Sequence, residues 1–103
     1  MEILFGNRHL RELFEKGRSR KYKLQPKLLE KILIRIAILE SAETIYDLWN
    51  LKSLHFEKLE GSQNRYSVRV DKQWRLELEI DWEDEVKTKG KITIVELSKH
   101  YGD

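Results

Sequence analysis

A chain of 103 residues with 40% hydrophobic and 37% charged side chains is expected to fold as one domain, 1–103, around a single modest core, and is too apolar to stay disordered. The absence of cysteine excludes disulfides, thiolate metal sites and a cysteine nucleophile, and fits a reducing compartment. The formal net charge of +2 hides an uneven distribution: Arg8, Arg11, Lys16, Arg18, Arg20, Lys21, Lys23 and Lys27 are opposed only by Glu12 and Glu15, whereas Glu77 to Glu85 is an acidic run.

Met1–Gly6 has neither a basic leader nor a long apolar run, so no signal peptide is expected. The longest apolar stretch, around Ile32–Leu39, is broken by Arg35 and falls far short of the roughly 20 residues that span a bilayer. A cytoplasmic protein without membrane contacts is the expectation.

Met1–Phe5 reads as a short strand. Asn7 is a good N-cap, Leu10, Leu13 and Phe14 follow at helical spacing, and Gly17 suits the position just past the helix end. Arg18–Leu24 is a basic connector. Pro26 suits the first turn of a second helix, about Pro26 to Glu40, where its missing N–H costs nothing. This helix is apolar around most of its circumference, with Lys27, Lys31 and Arg35 as one narrow polar stripe, and is expected to lie packed between other elements. Ile45, Leu48 and Trp49 mark a shorter helical segment.

Beyond residue 54 the period changes to two. Tyr66, Val68 and Val70 alternate with Arg65, Ser67 and Arg69; Trp74, Leu76, Leu78 and Ile80 alternate with Arg75, Glu77, Glu79 and Asp81. This is an antiparallel hairpin with one buried face, and Lys91–Leu97 supplies a further strand after the turn Trp82–Gly90. Helices followed by a β-meander define an α+β fold, with the N-terminal helices packed on an antiparallel sheet.

A one-residue slip would turn every side chain to the wrong face, so the pattern fixes the register. Pairing Val70 with Trp74 sets Val68 against Leu76, Tyr66 against Leu78, Arg65 against Glu79 and Ser67 against Glu77. Arg69 then stands directly across from Arg75. Like charges opposed across a ladder are destabilising, which calls for an explanation. Two guanidiniums side by side suit a phosphate or a developing phosphorane; the alternative is that each finds an acidic neighbour such as Glu77, or water. The loop Asp71–Lys72–Gln73 lacks the glycine that hairpin loops of this length favour.

His100 and Tyr101, near the end of the chain, are candidate proton-transfer groups, and a capping aromatic beside a surface histidine is the other reading. His55 and Lys58 flank the first strand of the meander and could reach the same face, where with Arg65 and Lys72 on the hairpin they are the candidate RNA contacts; for His55 the other reading is a partly buried histidine bonded to backbone. Trp49, Trp74 and Trp82 read as packing residues. The three histidines have no metal-ligand spacing, and there is neither a glycine-rich phosphate loop nor a nucleophilic serine motif. The remaining chemistry, from Arg, Lys, His and Tyr without a cofactor, suits RNA cleavage by the 2′-hydroxyl, which needs a base, an acid and cationic stabilisation.

The segments Phe56-Glu57-Lys58-Leu59-Glu60-Gly61, Arg65-Tyr66-Ser67-Val68-Arg69-Val70 and Gln73-Trp74-Arg75-Leu76 resemble the central block of the RelE/ParE toxin superfamily, nearest its HigB-like (plasmid killer) branch. Leu10–Gly17 and Val95–Gly102 extend the resemblance over nearly the whole chain. It implies a RelE-like fold, a type II toxin–antitoxin system, cleavage of mRNA in the ribosomal A site, and a helix-turn-helix (HigA-like) antitoxin as partner. It also implies a phosphate-stabilising role for Arg69 and Arg75, and makes His100 and Tyr101 the catalytic candidates in the tail. Glu60 stands where many members carry lysine. Lys99-His100-Tyr101 replaces the usual Asp-Tyr-His, leaving open which group is acid and which is base. The same resemblance leaves two alternatives: a ParE-like inhibitor of DNA gyrase, or a catalytically degenerate toxin-fold binding module.

Overall fold

The computed structural model describes residues 1–99; His100 and Tyr101 lie outside the described residues. The elements run β1 (Ile3–Phe5), α1 (Arg8–Lys16), α2 (Pro26–Ser41), α3 (Ile45–Asn50), a 3-10 turn (Lys52–Leu54), β2 (Glu57–Lys58), β3 (Arg65–Arg69), β4 (Trp74–Trp82) and β5 (Gly90–Lys99).

Local chemistry sets the helix boundaries. The Asn7 side chain accepts the Leu10 N–H at 3.0 Å, and Gly17 closes α1 in the left-handed region at φ 72°. Pro26 opens α2. α3 starts in a reciprocal capping box, in which the Asp47 carboxylate accepts the N–H groups of Glu43 (2.9 Å) and Thr44 (3.1 Å). Those bonds, Thr44 first, hold the Asp47 carboxyl below the ordinary carboxylate range.

The strands form one sheet in the order β1-β5-β4-β3-β2. The β3–β4 register is the one the alternation requires, with Tyr66 across from Leu78, Val68 from Leu76 and Arg69 from Arg75. Two features depart from expectation. β1 runs parallel to β5, pairing Ile3 with Ile92 and Phe5 with Ile94, so the sheet is mixed rather than wholly antiparallel. Three helices separate β1 from the meander, and a crossover of that length permits parallel pairing that a tight turn does not.

The second departure concerns α2. It buries Ile32, Ile36 and Leu39 in the core shared with Val68, Leu76, Leu78, Ile92 and Ile94, but Ile34 is 47% exposed and Ala37 is open. It forms an outer layer against one sheet face rather than lying between elements. The excess of apolar residues on its far side is therefore surface.

A bulge adjusts β5. Glu77 pairs with Glu96 but Leu78 with Ile94, which leaves Val95 as the extra residue. Strict alternation from Ile92 and Ile94 would turn Glu96 inward; the bulge sends it to solvent and returns Leu97 to the core.

Candidate functional site: a guanidinium pair on the outer sheet face

The β3–β4 turn is closed by Asp71, whose carboxylate accepts the N–H groups of Gln73 (2.8 Å) and Trp74 (2.9 Å). This side-chain closure explains how the loop dispenses with glycine, since none of Asp71, Lys72 and Gln73 takes a positive φ. The turn delivers Arg69 and Arg75 to directly opposed positions on the face turned away from the core.

The guanidiniums are held apart by different partners. Arg69 Nε donates to the Asp71 carbonyl at 3.2 Å, and its NH1 group lies 3.2 Å from His55 Nε2. Arg75 NH1 donates to Ser67 Oγ at 2.8 Å and pairs with the Glu57 carboxylate. Ser67, only 1% exposed, is the one buried polar residue among those described, so its hydroxyl is a fixed anchor. Arg75 Nε is buried without a partner, and neither NH2 group bonds to a described residue. Arg35, reaching from α2, donates its Nε to the Arg69 carbonyl at 2.8 Å and ties the helix layer to this hairpin. With one carboxylate beside two guanidiniums, the group keeps a positive balance and free N–H donors, which suits an anion.

His55 reaches this site. It sits in the left-handed region (φ 46°) at the end of the 3-10 turn, exposed, with Nε2 against Arg69. An N–H faces Nε2 there, so the contact is a hydrogen bond when that nitrogen is unprotonated. Lys72 is exposed at the hairpin tip, a short step from Arg69.

Other sequence candidates are placed elsewhere. Arg65 is engaged by Glu77 (3.3 Å) and Glu79 (4.0 Å). Lys58 pairs in register with Tyr66, whereas Glu57 pairs with Ser67, so Glu57 rather than Lys58 shares the arginine face. Trp74 packs on the core side, with Lys99 Nζ 5.2 Å from its ring centroid. Tyr66 stacks on Phe56 at 5.2 Å, and burial pushes its hydroxyl pKa up.

Glu57, Ser67 and Arg35 were not anticipated as parts of the site. Glu57 gave no periodic signal, because β2 is two residues long, and only the β2–β3 pairing sets it beside Ser67. Arg35 gave no signal, because its target is a backbone carbonyl. Among the described residues, no group of three His, Asp or Glu is placed to hold a metal ion, and no helix is long and apolar enough to cross a membrane.

Helices layered on one face of a five-stranded sheet are an architecture found in a solved toxin. The solved YoeB/ParE toxin from Agrobacterium tumefaciens superposes with a TM-score of 0.54 at 13% identity, covering 98% of this chain and 100% of that one. At that identity the likeness establishes the fold. The sequence supplies the family: residues 4–90 match the HigB-like toxin model, described as the RelE-like toxin of the type II toxin–antitoxin system HigB, and the chain belongs to this family. Membership implies an antitoxin partner. Comparison with curated proteins gives no match.

Proposed function

We propose that this toxin is a ribosome-dependent endoribonuclease that cleaves mRNA through its own 2′-hydroxyl, with 1–103 acting as one toxin domain in the cytoplasm. The observation that carries the reading is the opposed Arg69–Arg75 pair, a costly arrangement kept on the sheet face away from the core, with N–H donors that no described residue takes up. In the reaction a base removes the 2′-hydroxyl proton and the oxygen attacks phosphorus. The P–O5′ bond breaks to leave a 2′,3′-cyclic phosphate, and an acid protonates the departing 5′-oxygen.

Arg69 and Arg75 would bear on the pentacoordinate phosphorus, where charge builds up. Glu57 beside Arg75 and His55 beside Arg69 are the acid–base groups within the described site, and His100 and Tyr101 are proposed to complete it from the tail. Lys72 would steady the incoming RNA from the hairpin tip. Arg65 and Lys58 would contribute to RNA binding only at its margins, given their placement. The antitoxin partner would be a HigA-like helix-turn-helix protein, and no cofactor is invoked.

Expression without an antitoxin should arrest growth and leave cleaved transcripts, and Arg75→Ala should relieve both while circular dichroism stays that of the parent. A folded Arg75→Ala variant that stays fully toxic would refute the site. The solved relative carries ParE in its name. A gyrase inhibitor on the same fold would instead arrest growth with DNA damage and intact mRNA.

A further inference from the structure

A second concentration of positive charge lies away from the hairpin. α1 rests on β1 and β5, at the far side of the sheet from β2 and β3. Along its outward face Arg8, Glu12 and Lys16 recur at i, i+4 and i+8, and the connector after Gly17 folds Arg18 and Arg20 back beside them. The result is a pair of adjoining clefts of about 420 and 310 Å³ that share Glu12, Lys16 and Arg20. Arg18 lines the first; Arg8 and His9 line the second.

The positive charge in this cleft is offset only in part, by Glu12. Arg8, Lys16, Arg18 and Arg20 make no ion pair with any described residue, although Glu12 lies among them. His9 Nδ1 is shut off from solvent and has no hydrogen-bond partner. Four cations around a concavity with one carboxylate form an arrangement whose self-repulsion a bound polyanion relieves. Every residue lining the two clefts is polar or charged, and the aliphatic stems of the arginines and the lysine form the walls beneath their charged ends. Cations spread along two joined clefts match successive phosphates better than a single small anion.

We infer that the α1 cleft binds the sugar–phosphate backbone of single-stranded RNA, as a sequence-independent site separate from Arg69 and Arg75. The choice of RNA rests on the cleavage reading above; the cleft and its charge do not. Phosphate contacts of this kind set register and orientation and carry no sequence information, so the cleft would hold the strand while the hairpin acts on it.

The test uses the full chain and a fluorescent 2′-O-methyl oligoribonucleotide of about 12 nucleotides, within the site sizes of single-strand binders. This probe cannot be cleaved, so binding is read whether or not the protein is a nuclease. Each phosphate neutralised on a single strand contributes about −0.7 to the slope of log K against log salt. Lys16→Ala/Arg20→Ala should therefore flatten that slope by about 1.4 and weaken binding about 25-fold near 0.1 M salt. Lys89→Ala/Lys91→Ala removes the same charge from exposed positions elsewhere and should change the slope little. Equal effects from the two pairs, or an unchanged slope in the first, would overturn the inference. A parent protein that binds the probe with this salt dependence but cuts no message would instead count against the hairpin chemistry alone.

Discussion

Replacing Ser67 by alanine isolates the anchor of Arg75. The hydroxyl is 1% exposed, accepts Arg75 NH1 at 2.8 Å, and its loss deletes one oxygen without opening a sizeable cavity. A hydrogen bond to a charged group contributes about 1.5–3 kcal/mol. Arg75 keeps Glu57 as a partner, which places the loss in the lower part of that range, while a side chain only 14% exposed keeps water from replacing the bond in full. About 1.5–2 kcal/mol of destabilisation is expected, a fall in Tm of roughly 6–16 °C for a domain of this size. Urea unfolding should show a lower midpoint at unchanged m-value. A double-mutant cycle with Arg75→Ala should return a coupling of about 1 kcal/mol, since the two groups meet directly. A Ser67→Ala protein as stable as the parent, or a coupling near zero, would refute the claim that the buried hydroxyl fixes Arg75.

Leu78→Ala removes a fully buried side chain from the middle of β4 and should cost about 3–4 kcal/mol, read by denaturant unfolding. Gly90→Ala would set a Cβ 2.5 Å from the Asp81 carbonyl oxygen, so about 2–3 kcal/mol is expected from the forced backbone shift, measured by the same assay. Asp47 titrates lower in the folded chain than in the unfolded one, because Thr44 and Glu43 donate to its charged form. Its stabilising contribution is therefore complete above about pH 4 and lost as pH falls through the lowered value. Asp47→Asn should accordingly remove part of the acid sensitivity seen below pH 4 in pH-dependent unfolding. Arg35→Ala should loosen the hairpin, seen as faster amide exchange at Val70, whose N–H bonds to the Trp74 carbonyl beside the Arg69–Arg35 contact.

Much of this architecture was legible because burial on one sheet face enforces period two. Tyr66, Val68 and Val70 against Trp74, Leu76 and Leu78 admit one register, and that register alone opposes Arg69 to Arg75. Asn7, Gly17 and Pro26 marked the helix ends because their effects are local. Tertiary features were not legible. Nothing local directs Ile3–Phe5 to a parallel place beside β5, and helix periodicity does not say which apolar face of α2 the sheet covers. The turn without glycine is stabilised by the Asp71 carboxylate, which accepts two backbone N–H bonds, an aspartate turn signal that a rule based on glycine alone passes over. The carboxylate that meets Arg75 comes from a two-residue strand too short to show periodicity, and so Glu57 rather than Glu77 is found there.

The central claim is that the opposed arginines act on RNA at the ribosome. In a reconstituted translation reaction with a defined message, purified parent protein should produce discrete breaks, mapped by primer extension, only while the message is being translated. Arg69→Ala and Arg75→Ala should each slow cutting by about 100-fold or more, the scale of losing one donor to a charged transition state. Intact message with the parent protein, or equal cutting by folded variants, would contradict the account.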